Sequence, residues 1–237
     1  MKLFLASNPF LPNGEICSDN DFLWNIKYSL PYETNALFIS SLYKDSLTND
    51  RFATRIKDAF NTAAIFFRTM DVLDFRNAGM TKEEIQAHNF IILAEGNVGT
   101  QNDFFRAINL RSKLEGYDGT ILAIGTGAMN AAEEAYALPE DESEVMSTDF
   151  VRFTAGLGLT NTQVIPHYEQ MITKRVGSFS MRDRIITDGR NKKFLGLPDG
   201  SYLMSTDGHE LVHGPFYKII DRNITKEEAG FMAKSFE

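Results

Sequence analysis

Five short apolar runs punctuate the first half of the chain: Lys2–Ala6 (KLFLA), Asn35–Ser40 (NALFIS), Met70–Asp74 (MDVLD), Phe90–Glu95 (FIILAE) and Thr120–Gly125 (TILAIG). They are continuous rather than alternating, as expected of parallel strands covered on both faces. Between them the spacing changes. Phe52, Ile56, Phe60, Ala63 and Phe67 recur every three or four residues and predict one helical stripe. The stretch QNDFFRAINLRSKLEGY predicts a helix ending near Gly116, and an extra helix is expected around Phe22–Ser29. Thr81–Glu84 (TKEE) has the form of a capping box, threonine reaching forward and glutamate back. Strand–helix alternation of this kind predicts right-handed crossovers and a doubly wound sheet.

After Tyr136 the pattern shifts. ALPEDESEVMSTD is acidic and loop-like, TQVIPHY predicts a strand, and MRDRIITDGR a helix. From Phe194 to Asp221, short apolar runs separated by PDG and DGH turns predict antiparallel strands. A second TKEE, Thr225–Glu228, predicts the start of a C-terminal helix. No low-complexity linker interrupts the chain, so one domain over residues 1–237 is expected.

Composition narrows the function classes. A formal charge of −8 without a Lys/Arg cluster argues against nucleic acid as a partner. Cys17 is the sole cysteine, so no intrachain disulfide can form. No apolar stretch approaches the roughly 20 residues of a membrane span, and the opening run is too short for a signal peptide. A cytoplasmic protein with no membrane partner is the expectation.

Ligands of open α/β sheets sit beyond the carboxyl ends of the strands. Two glycine-containing turns fall there, AEGNVGTQ and AIGTGAMN. The second supplies half a dinucleotide fingerprint, but Asn130 stands where a third small residue is needed, and the turn follows a late strand. Nucleotide binding at Gly125–Asn130 is therefore a weak reading beside a purely structural turn. His209 and His213, with Asp207 nearby, have a spacing conceivable for a metal, but an exposed hairpin tip explains them better. His88, at a helix end, suits capping. His167 ends a strand behind Pro166, where either a base or a structural histidine can stand. Asp199, between Pro198 and Gly200, is explained by a type I turn without any chemistry.

Taken in order, KLFLASNPF, ILAEGN, IGTGA, GLGLTNTQVIPHY and GLPDGS make the chain resemble the peptidase E family of serine hydrolases, which includes aspartyl dipeptidases and cyanophycinases. The resemblance implies a three-layer, mostly parallel α/β sheet of the class I glutamine amidotransferase kind with a C-terminal β-rich portion. It also implies hydrolysis of short peptides by a Ser–His–acid triad, with neither metal nor organic cofactor. By this resemblance His167 takes the general-base position and Asp199 the acid position. The backbone N–H groups of Gly96 and Thr126 correspond to the oxyanion donors.

Where the family has S-A-G-A this chain has GTGA, so Gly125 occupies the nucleophile position and leaves it without a hydroxyl. Glycine relieves the strain of the elbow backbone. Thr126 serves as nucleophile only if the turn shifts by one residue. The expectation is an impaired or inactive peptidase homologue for short peptides, Asp-Xaa dipeptides among them. The alternative is a non-catalytic protein that holds a short peptide or acidic small molecule in the vestigial pocket. Arg175 and Arg182, with Lys174 and Arg184, are candidate cations for an acidic substrate. A homodimer is left open. Serine restored at position 125 alone is expected to return detectable turnover.

Overall fold

The computed structural model describes residues 1–231. Five strands, β1 (Lys2–Ala6), β2 (Thr34–Ile39), β3 (Phe67–Leu73), β4 (Phe90–Leu93) and β5 (Thr120–Ile124), form the parallel part of an eight-stranded sheet in the order β1-β5-β4-β2-β3. Beyond β1 the sheet continues antiparallel through Tyr202–Thr206, His209–His213 and Gly230–Phe231.

Successive side chains of a strand point to opposite faces, so continuous apolar runs build two cores. Leu3, Leu5, Leu37 and Ile39 pack on one face with Phe104 and Phe105 of the helix Val98–Ala107. Phe4, Ala6, Ala36 and Phe38 pack on the other, with Phe22 and Ile26 of the helix Phe22–Ser29 and Ala53 and Phe60 of the helix Ser46–Thr62. The result is a three-layer α/β sheet. Among the described residues no helix is long and apolar enough to cross a membrane.

A second sheet follows in the C-terminal part. Gln163–Ile165 and Phe194–Gly196 run parallel, and Phe216–Ile220 and Asn223–Glu227 add antiparallel. Tyr136, Ile165, Tyr168, Phe194 and Ile219 form a third core beneath it.

Two expectations are corrected. Phe67 does not extend the helical stripe; the helix ends at Thr62, Ala64 takes a positive φ of 56°, and Phe67 opens β3. The second TKEE does not start a helix. Asp221 and Arg222 both adopt positive φ, as a two-residue hairpin turn requires, and Thr225 pairs with Lys218 on the returning strand. Pairing with an existing strand, and burial of Ile224 against the third core, outweigh the local capping preference. The first TKEE does cap: Thr81 Oγ1 accepts from Glu84 N at 3.2 Å, and Glu84 Oε2 accepts from Thr81 N at 2.7 Å.

Candidate functional site

Strands β1, β5 and β4 are neighbours, so the turns that follow them meet at one end of the sheet. They bring Ser7, Gly125 and Glu95 together. The second sheet feeds the same place. Ile165 and Gly196 are register partners on parallel strands, and each strand continues through a proline. The chain therefore emerges twice in the same direction, carrying His167 and Asp199.

The histidine and aspartate paired by the resemblance lie together, His167 Nδ1 being 2.6 Å from Asp199 Oδ1. Two further side chains hold this pair. Ser7 Oγ donates to Asp199 Oδ1 at 2.8 Å and accepts from the His167 backbone N–H at 2.6 Å. Gln170 Nε2 donates to Asp199 Oδ2 at 2.9 Å. His167 itself sits at φ 50°, a left-handed conformation rare for a residue with a side chain. Asp199 also keeps its turn, with Ser201 N donating to Pro198 O at 3.0 Å. The structural and the polar reading of that turn coexist.

Gly125 adopts φ 53° and ψ −116° and starts the short helix Thr126–Ala131. This is a conformation costly for any residue with a Cβ, as at a nucleophile elbow. The space a side chain would use is occupied. A Cβ added to Gly125 would lie 2.8 Å from Glu95 Cγ and 2.9 Å from its Cδ and Oε1. Glu95 Oε1 in turn is 2.7 Å from His167 Nε2. A carboxylate from the turn after β4 thus stands where a residue-125 hydroxyl would meet the histidine.

With a carboxylate on each ring nitrogen, both nitrogens are best used as donors, which is the protonated form. The pKa of His167 is raised above its ordinary value, chiefly by the hydrogen bond to Glu95, with burial opposing and the charges of Glu95 and Asp199 adding. An imidazolium cannot take a proton from a nucleophile. A raised folded-state pKa contributes stability that is full below the unfolded value of about 6.5 and lost as pH rises through the folded value. Thermal melts of the parent should therefore fall with pH from about 6.5 upward, and Glu95→Gln should flatten that fall. Identical pH profiles for the two chains would show that Glu95 does not hold the proton.

The remaining candidates divide. Gly96 lines the cleft beside Glu95. A side chain there would overlap Ser41, whose Oγ donates to Glu95 O. Thr126 N is the first amide of its helix and has no intrahelical acceptor. Thr126 Oγ1 is buried without a hydrogen-bond partner among the described residues, so none of them acts as a base toward it. Arg175 donates to Ser178 O within its own hairpin, and neither Arg175 nor Arg182 lines the cleft. His88 is engaged by Asp71, and the ring of His213 stacks on Tyr202, with centroids 4.6 Å apart.

The GTGAMN turn is packed rather than open. A Cβ on Gly127 would come 2.5 Å from Leu93 O, and Asn130 is fully buried among Val98, Gln101 and Asn102. Its second glycine serves close packing of helix on strand.

Glu95, Ser7 and Gln170 were not singled out by the sequence. Glu95 had a readable signal: ILAEGN stands where the resembled family has a glycine-rich G-G-N turn, so a carboxylate replaces its first glycine while glycine replaces serine in the other turn. Two coordinated departures in neighbouring turns mark an exchange of volume.

No family model and no curated protein matches the chain. Solved structures do. The crystal structure of a peptidase from an acI-B1 Actinobacterium superposes with a TM-score of 0.67 at 14% identity, covering 97% of this chain and 94% of that one. A protein from Listeria monocytogenes EGD-e, described as a "Putative Peptidase E Protein", superposes with a TM-score of 0.52 at 14% identity, covering 96% and 98%. The fold is peptidase E-like. At 14% identity this similarity concerns the backbone. The peptidase E-like fold explains why turns from both sheets converge on one end, and the chemistry there belongs to this chain's own residues.

Proposed function

We propose that this chain is a peptidase E homologue that binds a short peptide in the cleft beyond its parallel strands and does not perform serine-type hydrolysis. One observation carries the reading. The Glu95 carboxylate fills the volume a serine side chain at position 125 would need and occupies His167 Nε2. A serine mechanism needs that nitrogen as a free acceptor facing a hydroxyl. Here the hydroxyl is absent and the acceptor is spent on an ion pair. The base, acid and turn architecture persist as a scaffold that orders the mouth of a cleft of about 720 Å³.

The parent chain is expected to show no labelling by a fluorophosphonate probe and no turnover of a dipeptide panel that includes Asp-Xaa sequences. Gel fluorescence and chromatography of the peptides check this. Strong labelling that disappears in Thr126→Ala would place the nucleophile one residue along the turn and overturn the reading.

A further inference from the structure

The cleft beside Glu95, about 720 Å³ in volume, lies within the range of small-molecule sites. Its walls are apolar, drawn from Leu11, Phe38, Leu42, Phe52, Ile56 and Ile124. Leu11, Leu42 and Phe52 remain 40%, 38% and 38% exposed there. Clustered apolar exposure of this kind marks a surface kept for a ligand.

Two opposite charges in the lining keep unused hydrogen-bonding capacity. Glu95 Oε1 is committed to His167, but Glu95 Oε2 accepts no hydrogen bond among the described residues. Arg55, on the helix that also supplies Phe52 and Ile56, makes no ion pair or hydrogen bond among the described residues. Asp19 and Asp199 add negative charge to the lining. Three carboxylates, two of them sharing the His167 imidazolium, against one guanidinium leave the balance negative and disfavour an acidic side chain.

From this pattern we infer that the cleft takes a short apolar peptide with free termini. Its ammonium sits on Glu95, its carboxylate on Arg55, and its side chains pack against Phe38, Phe52 and Ile56. The inference rests on the proposed function in keeping Glu95 as a charged group at the mouth, and it replaces an acidic ligand with an apolar one. Charge pairs at both ends set orientation and register, while the apolar walls supply most of the affinity.

Isothermal titration of the full chain tests it with Phe-Leu, N-acetyl-Phe-Leu, Phe-Leu amide and Asp-Leu, each checked for intactness by chromatography. Phe-Leu should bind at least about ten-fold more tightly than Asp-Leu, and acetylation or amidation should each weaken it by about ten-fold. Glu95→Gln should abolish the penalty of acetylation, and Arg55→Gln, at an exposed helical position, the penalty of amidation. Equal or tighter binding of Asp-Leu, insensitivity to both end modifications, or no heat with any peptide would overturn the inference. Those outcomes leave the proposed lack of serine chemistry intact. Fluorophosphonate labelling of the parent would overturn that reading instead.

Discussion

A chain carrying Glu95→Gly together with Gly125→Ser is expected to react with a fluorophosphonate and to cleave a short peptide detectably, where the parent does neither. The two substitutions exchange volume between neighbouring turns. Glycine at 95 vacates the space within 2.9 Å of a residue-125 Cβ and releases His167 Nε2. Serine at 125 then supplies a hydroxyl to a histidine still oriented by Asp199 at 2.6 Å.

Restoring serine alone is expected to do far less than the sequence by itself suggests. Its Cβ would meet Glu95, and the displaced carboxylate would remain beside the histidine and compete for its proton. A positioned general base is worth about 10²-fold or more in rate, so the double variant, which frees His167 Nε2, should exceed Gly125→Ser by at least that factor. Labelling rates of both single variants and the double variant decide the matter. Equal labelling of Gly125→Ser and the double variant would remove Glu95 from the explanation. A folded, unreactive double variant would show that the oxyanion donors have lost their aim.

Asn130→Ala is expected to cost about 2–4 kcal/mol of stability, the largest loss foreseen for a single polar side chain near the site. Asn130 has no exposed surface. Its Nδ2 donates to Val98 O at 3.1 Å and Gln101 Oε1 at 3.0 Å, and its Oδ1 accepts from Asn102 Nδ2 at 3.0 Å. Truncation leaves buried groups without partners and opens a cavity. The short helix behind Gly125 spans only Thr126–Ala131, too short to be stable by its own hydrogen bonds, so these contacts hold it. For a chain of this size a loss of 1 kcal/mol lowers the melting temperature by about 2–4 °C, so calorimetry should resolve the drop easily. An unchanged melting temperature would mean that apolar packing alone secures the elbow.

The apolar runs determined most of the main sheet without help from tertiary structure. A continuous buried run needs both faces covered, and alternation with helices leaves parallel crossovers as the economical solution. His167 and Asp199 were paired only through the resemblance, since each read alone suits a structural strand end or a type I turn; the structure supplies the physical reason, because both follow short strands through a proline and strands paired in parallel release their ends on the same side. The tetrapeptide TKEE shows where local sequence stops deciding. At Thr81 it caps a helix, because nothing competes with its reciprocal hydrogen bonds. At Thr225 it lies in a strand, because a partner strand and a core are waiting for Ile224. Glu95 is the stronger case. Its own turn, read alone, contains a solvated acid. Only the adjacency of β4 and β5 brings that acid over a glycine with no side chain, beside a histidine delivered by the other sheet. Strand runs and strand ends are properties of short segments and can be read along the chain. The exchange of a hydroxyl for a carboxylate is a property of shared volume, which exists only once three separate turns are folded against one another.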